Sequence, residues 1–284
     1  MKTINSLSGG KTSSYIAANY PADYDVFSLV RTSDKSCIYP DKKLRQEVED
    51  RIQAPFIGTL EDDVIIHTML DLEQYIGRKI TWVTGKLFDD IIMKKNGKTF
   101  LPSYMRRFCT TEMKVTPIAE WTYKNIDSSP IMRFGFRANE QNRAKRMIAR
   151  KNDRGFIEAD IIIGKSKNGK TNRWKKIDYC MPEFPLIKDN IYKDGIEKYW
   201  EDKPVRFAWM NNCVGCFHKE NLLLSKMWQK HPNKLNWFAQ KERESINGAT
   251  WKENITYDEI AKWSNQMELF DQDFNECDSG YCGL

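Results

Sequence analysis

Ser8-Gly9-Gly10-Lys11-Thr12-Ser13 places two glycines, a cation and hydroxyl side chains between a short apolar run and a stretch able to form a helix. Glycines let a backbone bend until several N–H groups face one anion, and the positive end of the following helix completes such a seat. The spacing suits phosphate binding, with Ser8, Gly9, Gly10, Lys11, Thr12 and Ser13 as the nucleotide-binding candidates. Gly10-Lys11-Thr12 does not end a Walker A loop, because Asn5 stands where that motif has its first glycine. A glycine turn with no ligand is the plain alternative.

A second group is built on sulfur. Cys109 follows Arg106 and Arg107 and opens a predicted helix, an environment expected to favour thiolate over thiol. Cys213-Val214-Gly215-Cys216 has the two-residue gap that lets both sulfurs face one centre, and thiolates suit zinc or an iron–sulfur cluster. Cys180 or a tail cysteine could add a ligand to such a centre. A structural zinc on Cys213, Cys216, Cys277 and Cys282 is the other arrangement. His218 reads as a solvated or capping residue. Downstream of an apolar strand, Arg137 is placed to clamp a phosphate or sulfate, and Glu140 to orient it or bind Mg²⁺. A surface ion pair is the alternative there.

Four of these segments resemble the phosphoadenosine phosphosulfate (PAPS) reductase family of the PP-loop, or adenine-nucleotide α-hydrolase, superfamily. Ser8-Gly9-Gly10-Lys11-Thr12-Ser13 is similar to its Ser-Gly-Gly-x-Asp-Ser pyrophosphate loop, with Thr12 where ATP-cleaving members carry aspartate. Cys109 to Pro117 resembles its Cys-Cys-x-x-x-Lys-Val-x-Pro segment, with Thr110 in place of the second cysteine and Lys114, Val115 and Pro117 matching. Gly135 to Glu140 looks like its Gly-x-Arg-x-x-Glu segment, and Cys213-x-x-Cys216 like its downstream cysteine pair. The tail Cys277-Asp278-Ser279-Gly280-Tyr281-Cys282-Gly283-Leu284 is a partial likeness to the family's mobile Glu-Cys-Gly-Leu-His ending, whose cysteine attacks sulfur, with Tyr281 in place of the glutamate and the histidine missing.

The resemblance implies an enzyme that binds ATP or a related adenine nucleotide and carries a [4Fe–4S] cluster on Cys109, Cys213 and Cys216, with zinc as the alternative metal. It further implies Cys282, Cys277 and Lys114 as catalytic candidates. The expected reaction is ATP-dependent adenylation coupled to sulfur transfer to a nucleic acid or small metabolite. Reduction of a sulfonucleotide by Cys282, and a non-catalytic zinc-containing nucleotide- or nucleic-acid-binding module, are the alternatives. The expected partners are the adenine nucleotide, a sulfur- or electron-donor protein, a nucleic acid and, for assembly, a homodimer.

Elements must position these groups. Apolar runs at 3–7, 26–30, 80–83, 131–136 and 157–163 read as buried strands. Helical periodicity covers 12–19, 41–52, 62–76, 85–93, 111–124 and 139–149, with Pro117 a kink or restart inside the fifth. Alternation of this kind predicts an α/β fold, a Rossmann-like doubly wound parallel sheet of PP-loop type over residues 1–165. Residues 166–284 are expected to form a smaller helical, cysteine-containing region, with helices over 221–229, 233–246 and 257–266. Seven of the nine tryptophans lie from Trp174 onward, at spacings that read as core packing.

A net charge of +6, with cations bunched at Arg106-Arg107, 143–154 and 165–176, predicts an anionic partner. For 165–176 the choice lies between nucleic-acid contact and a solvated hairpin loop. Seven cysteines, no apolar leader at residues 1–5 and no long apolar window give the expectation of a soluble chain in the reducing cytoplasm.

Overall fold

The computed structural model describes residues 1–93 and 97–263. In chain order the elements are β1 (Thr3–Leu7), α1 (Lys11–Asn19), β2 (Tyr24–Leu29), α2 (Lys42–Ile52), α3 (Val64–Ile76), β3 (Ile80–Thr84), α4 (Phe88–Ile92), α5 (Phe108–Thr110), α6 (Thr116–Asn125), β4 (Ile131–Arg133), α7 (Gln141–Ile148), β5 (Ile157–Lys165), β6 (Asn172–Glu183), α8 (Pro185–Lys188), α9 (Lys193–Trp200), α10 (Asn221–Lys230), α11 (Pro232–Arg243) and α12 (Tyr257–Trp263). A π-helical turn, Thr111–Val115, joins α5 to α6, and Pro117 sits in the first turn of α6, where its missing N–H costs nothing.

These elements form two compact units that interleave along the sequence. One comprises Met1–Ser28, Val64–Thr84 and Lys114–Ala208; the other comprises Leu29–Asp63, Gly85–Met113 and Trp209–Leu284. Residue 165 is not a boundary between them, because β5 and β6 on either side of it pair with each other.

The first unit is an α/β layer structure. Its six-stranded sheet has the order β3-β2-β1-β4-β6-β5. β1 is parallel to β2 and to β4, β4 is parallel to β6, and β5 runs antiparallel to β6. β1 and β2 are buried nearly throughout, as strands of a parallel sheet covered by helices must be. Their apolar residues Ile4, Val26 and Phe27 are buried, as are Ile16 and Ala17 of α1 and Ile65, Met69 and Leu72 of α3. Two buried polar residues here are paired: Asn5 donates through Nδ2 to Asp25 at 2.8 Å and to the Tyr20 carbonyl at 2.9 Å, and Asp25 takes Arg78 at 2.9 Å. The chain runs from β1 to β2 on one side and returns to place β4 on the other, so the strand order reverses at the β1/β4 boundary.

The second unit holds α2, α4, α5, α10, α11 and α12 around Val30, Phe88, Val214, Leu224, Trp237, Phe238, Trp251 and Tyr257. The expected cysteine-bearing helical region is therefore assembled from three stretches of chain, two of them in the amino-terminal half. Asp41 starts α2 by accepting from the amides of Lys43 and Leu44 at 2.8 and 3.1 Å.

Candidate functional site

At the carboxyl end of β1 the chain turns through Ser8, Gly9 and Gly10 into α1. Gly9 has φ +81°, and a Cβ there would lie 2.5 Å from Cγ2 of Ile65, so both the conformation and the space exclude a side chain. The Ser8 amide donates to Ser13 Oγ at 3.2 Å, and Ser13 Oγ donates to the Gly10 carbonyl at 3.1 Å, which fixes the bend from within. Gly10 is the N-cap and supplies no capping side chain to the first turn of α1. Amides in such a turn carry the partial positive charge that attracts an anion.

β4 ends beside this loop. A Cβ on Gly135 would lie 3.3 Å from Cγ2 of Thr12 and 3.5 Å from the Ser13 amide nitrogen, so the second candidate segment meets the first through a glycine. Arg137, 6% exposed, donates from its amide and from Nε to Glu140 Oε2 at 2.8 and 3.1 Å. Glu140 Oε1 accepts from Arg143 at 3.0 Å, and the Arg143 guanidinium stacks 4.1 Å from the Phe136 ring centroid. Glu140 thus orients two arginines, and the trio keeps one net positive charge. Lys11 forms an ion pair with Glu197 of α9, while Trp200 Nε1 donates to the Lys11 carbonyl at 3.0 Å. These α9 contacts buttress the loop from about 190 residues away, and nothing in the spacing of the sequence announces them. Lys114 lies in the π-helical turn.

In the second unit, Cys109 on α5 and Cys213 pack against the same apolar core. Cys216 is near enough for its charge to disfavour a Cys109 thiolate, and both Cys213 and Cys216 act in that way on Tyr257. The expected low pKa of Cys109 is not found. Burial, followed by the neighbouring Cys216, pushes its thiol up to about 11, outweighing the hydrogen bond from Thr110 and the charge of Arg107, which pull it down. The Cys213–Cys216 turn is held by its carbonyls: Lys219 Nζ donates to the Asn211 and Cys213 carbonyls at 3.0 and 2.8 Å, and Tyr257 Oη donates to the Gly215 carbonyl at 2.8 Å. Lys252 Nζ adds bonds to the Phe217 and Lys219 carbonyls at 3.1 and 2.7 Å. Cys216-x-x-Lys219 was a readable spacing, whereas Lys252 and Tyr257 carry no local signal. His218 packs edge-on against Tyr104 at 4.4 Å, and burial lowers its pKa to about 4.

Cys180 belongs to the first unit, fully buried on β6 opposite Ile157, with its pKa raised to about 12 by burial. Among the described residues, no three His, Cys, Asp or Glu side chains are gathered as a metal-binding group. Cys277 and Cys282, named as catalytic candidates and as zinc ligands, lie outside the described residues. Among the described residues, no helix is long and apolar enough to cross a membrane.

The sheet places the loop and the Gly135–Glu140 segment at the carboxyl ends of the two strands flanking the reversal, the position at which open α/β sheets take ligands. Comparison with protein-family models, curated proteins and solved structures finds no match to this chain.

Proposed function

We propose that the first unit seats an adenine nucleotide, and that the chain is a PP-loop enzyme using ATP to adenylate an acceptor before sulfur is transferred to it. The observation that carries this reading is the meeting of Gly135 with Thr12 and Ser13 at the β1/β4 reversal. It brings together two segments, far apart in sequence, that both resemble phosphate-contacting segments of the same family. In this reading the first-turn amides of α1 hold the pyrophosphate portion, and Arg137 balances charge nearby. An acceptor oxygen attacks the α-phosphorus and pyrophosphate leaves; a sulfur nucleophile then displaces AMP.

The soft donors Cys109, Cys213 and Cys216 suit an iron–sulfur cluster or zinc in their chemistry. Their described arrangement does not by itself complete a site, so no step is assigned through a metal. A cluster, when bound, would offer an iron for sulfide.

Equilibrium dialysis with ATP, AMP and adenosine phosphosulfate tests the seat. ATP is expected to bind, and Arg137→Ala to weaken it about tenfold, which corresponds to ~1.4 kcal/mol. Absence of nucleotide binding at millimolar concentration would remove the reading. Iron, sulfide and zinc analysis of anaerobically purified protein decides the metal: iron with sulfide supports the cluster, zinc alone replaces it.

A further inference from the structure

The hairpin of β5 and β6 has an outer half that the nucleotide site does not use. β4 pairs with β6 at Met181, Pro182 and Glu183, whereas β5 pairs with it from Ile157↔Cys180 out to Lys165↔Asn172. The outer rungs therefore form a two-stranded ribbon running past the β4 pairing. Lys165, Lys167, Lys170, Arg173, Lys175 and Lys176 fall on it, and no acidic residue occurs between Ile161 and Ile177. Among the described residues, Lys176 is the one member of this set with an ion pair, to Glu158 at 3.4 Å.

A stretch that merely kept the surface soluble would intersperse both signs. Cations of one sign, spread along two strands at roughly 3.3 Å per residue, suit an extended polyanion better than a single small phosphate. Two further features tell which polyanion. Trp174 is 52% exposed on β6, leaving an indole face open to solvent. A separate cleft of 290 Å³, lined by Thr122 and Tyr123 of α6, by Lys175 and Lys176 of β6 and by Arg154, Asp127 and Asp178, lies against the same strand. Lys175 Nζ sits 4.7 Å from the Tyr123 ring centroid. Aromatic faces interleaved with cations are how proteins hold unpaired bases and their phosphates together. An acidic peptide would use the cations and leave the indole idle.

We propose that this ribbon binds single-stranded nucleic acid, with phosphates on Lys165, Lys167, Lys170 and Arg173 and a base stacked on Trp174. The inference goes beyond the nucleotide site and stands without it.

The test is fluorescence anisotropy of the whole chain with labelled 20-nucleotide RNA and DNA, single-stranded and duplex, across a salt series. The variant with Lys165→Ala, Lys167→Ala and Lys170→Ala removes three exposed charges together with the Lys165 Nζ hydrogen bond to Asn172 at 2.6 Å. It is expected to bind single strands at least tenfold more weakly, with the slope of log affinity against log salt shallower by about 2. Trp174→Ala should weaken single-strand binding about tenfold and leave that slope unchanged. Wild-type affinity in the triple variant, or equal displacement of the probe by polyglutamate, would overturn the proposal. So would duplex binding tighter than single-strand binding and indifferent to Trp174. ATP dialysis on the same variants keeps the two readings apart: loss of nucleic acid with ATP binding intact concerns the ribbon alone.

Discussion

Gly9 carries two constraints, a left-handed backbone at φ +81° and a Cβ position only 2.5 Å from Ile65. Gly9→Ala must either flatten the turn or push α3 away, and is expected to cost about 1–3 kcal/mol of stability while weakening ATP binding. Thermal unfolding with and without ATP measures both effects; unchanged values in each would show that the bend is not needed in this form. The loop was readable because glycine and hydroxyl spacing is local chemistry. Cys109 shows the opposite case: its segment was readable, its chemistry was not. The sequence shows arginines next to the thiol, but the shelter that raises its pKa comes from a core that includes Val214, Leu224 and Trp237, more than a hundred residues on.

Strands and helices followed the same division. β1, β2 and β3 were readable as apolar runs, and α1, α2 and α3 begin within two residues of the expected positions because their faces are periodic and Asp41 caps α2. β6 was missed. Its outer half, Asn172 to Lys176, is polar and largely exposed, and its strand character comes from pairing with β5 rather than from burial. The helix expected over 85–93 is reduced to Phe88–Ile92, and the one over 111–124 is split by the π turn before Pro117.

Helix α3 also carries a testable ion pair. Asp71 on α3 accepts from Arg206 Nε and Nη2 at 2.7 Å each, and the Arg206 hydrogen bond is the main cause of its lowered pKa. A lowered folded-state carboxylate contributes stability above its unfolded value and loses it as pH falls through the folded one. Asp71→Asn should therefore cost about 0.5–1 kcal/mol near neutral pH, because Arg206 is largely exposed. The gap to wild type should close as the pH drops below the ordinary value of 3.8. Urea unfolding across the acid range checks this; a constant gap would point to another source.

The α/β class was legible from strand–helix alternation, but the partition of the whole molecule was not, since composition changes along the chain while the units interleave. A fragment of residues 1–165 would lose β6, the partner of both β4 and β5, and α9, which holds Lys11. It is expected to lack a cooperative thermal transition by circular dichroism, where the whole chain has one. A cooperative fragment would show that the sheet needs neither.

The placement of β4 between β1 and β6 has a further consequence during synthesis. β1 leaves the ribosome well ahead of β4 and keeps the edge that β4 will cover unpaired until residues beyond 131 emerge, which at roughly 5–20 residues per second takes on the order of ten seconds. Unpaired N–H and C=O groups bared for that long invite pairing with neighbouring nascent chains, so holdase cover on the translating ribosome becomes part of what this strand order demands of its host cell.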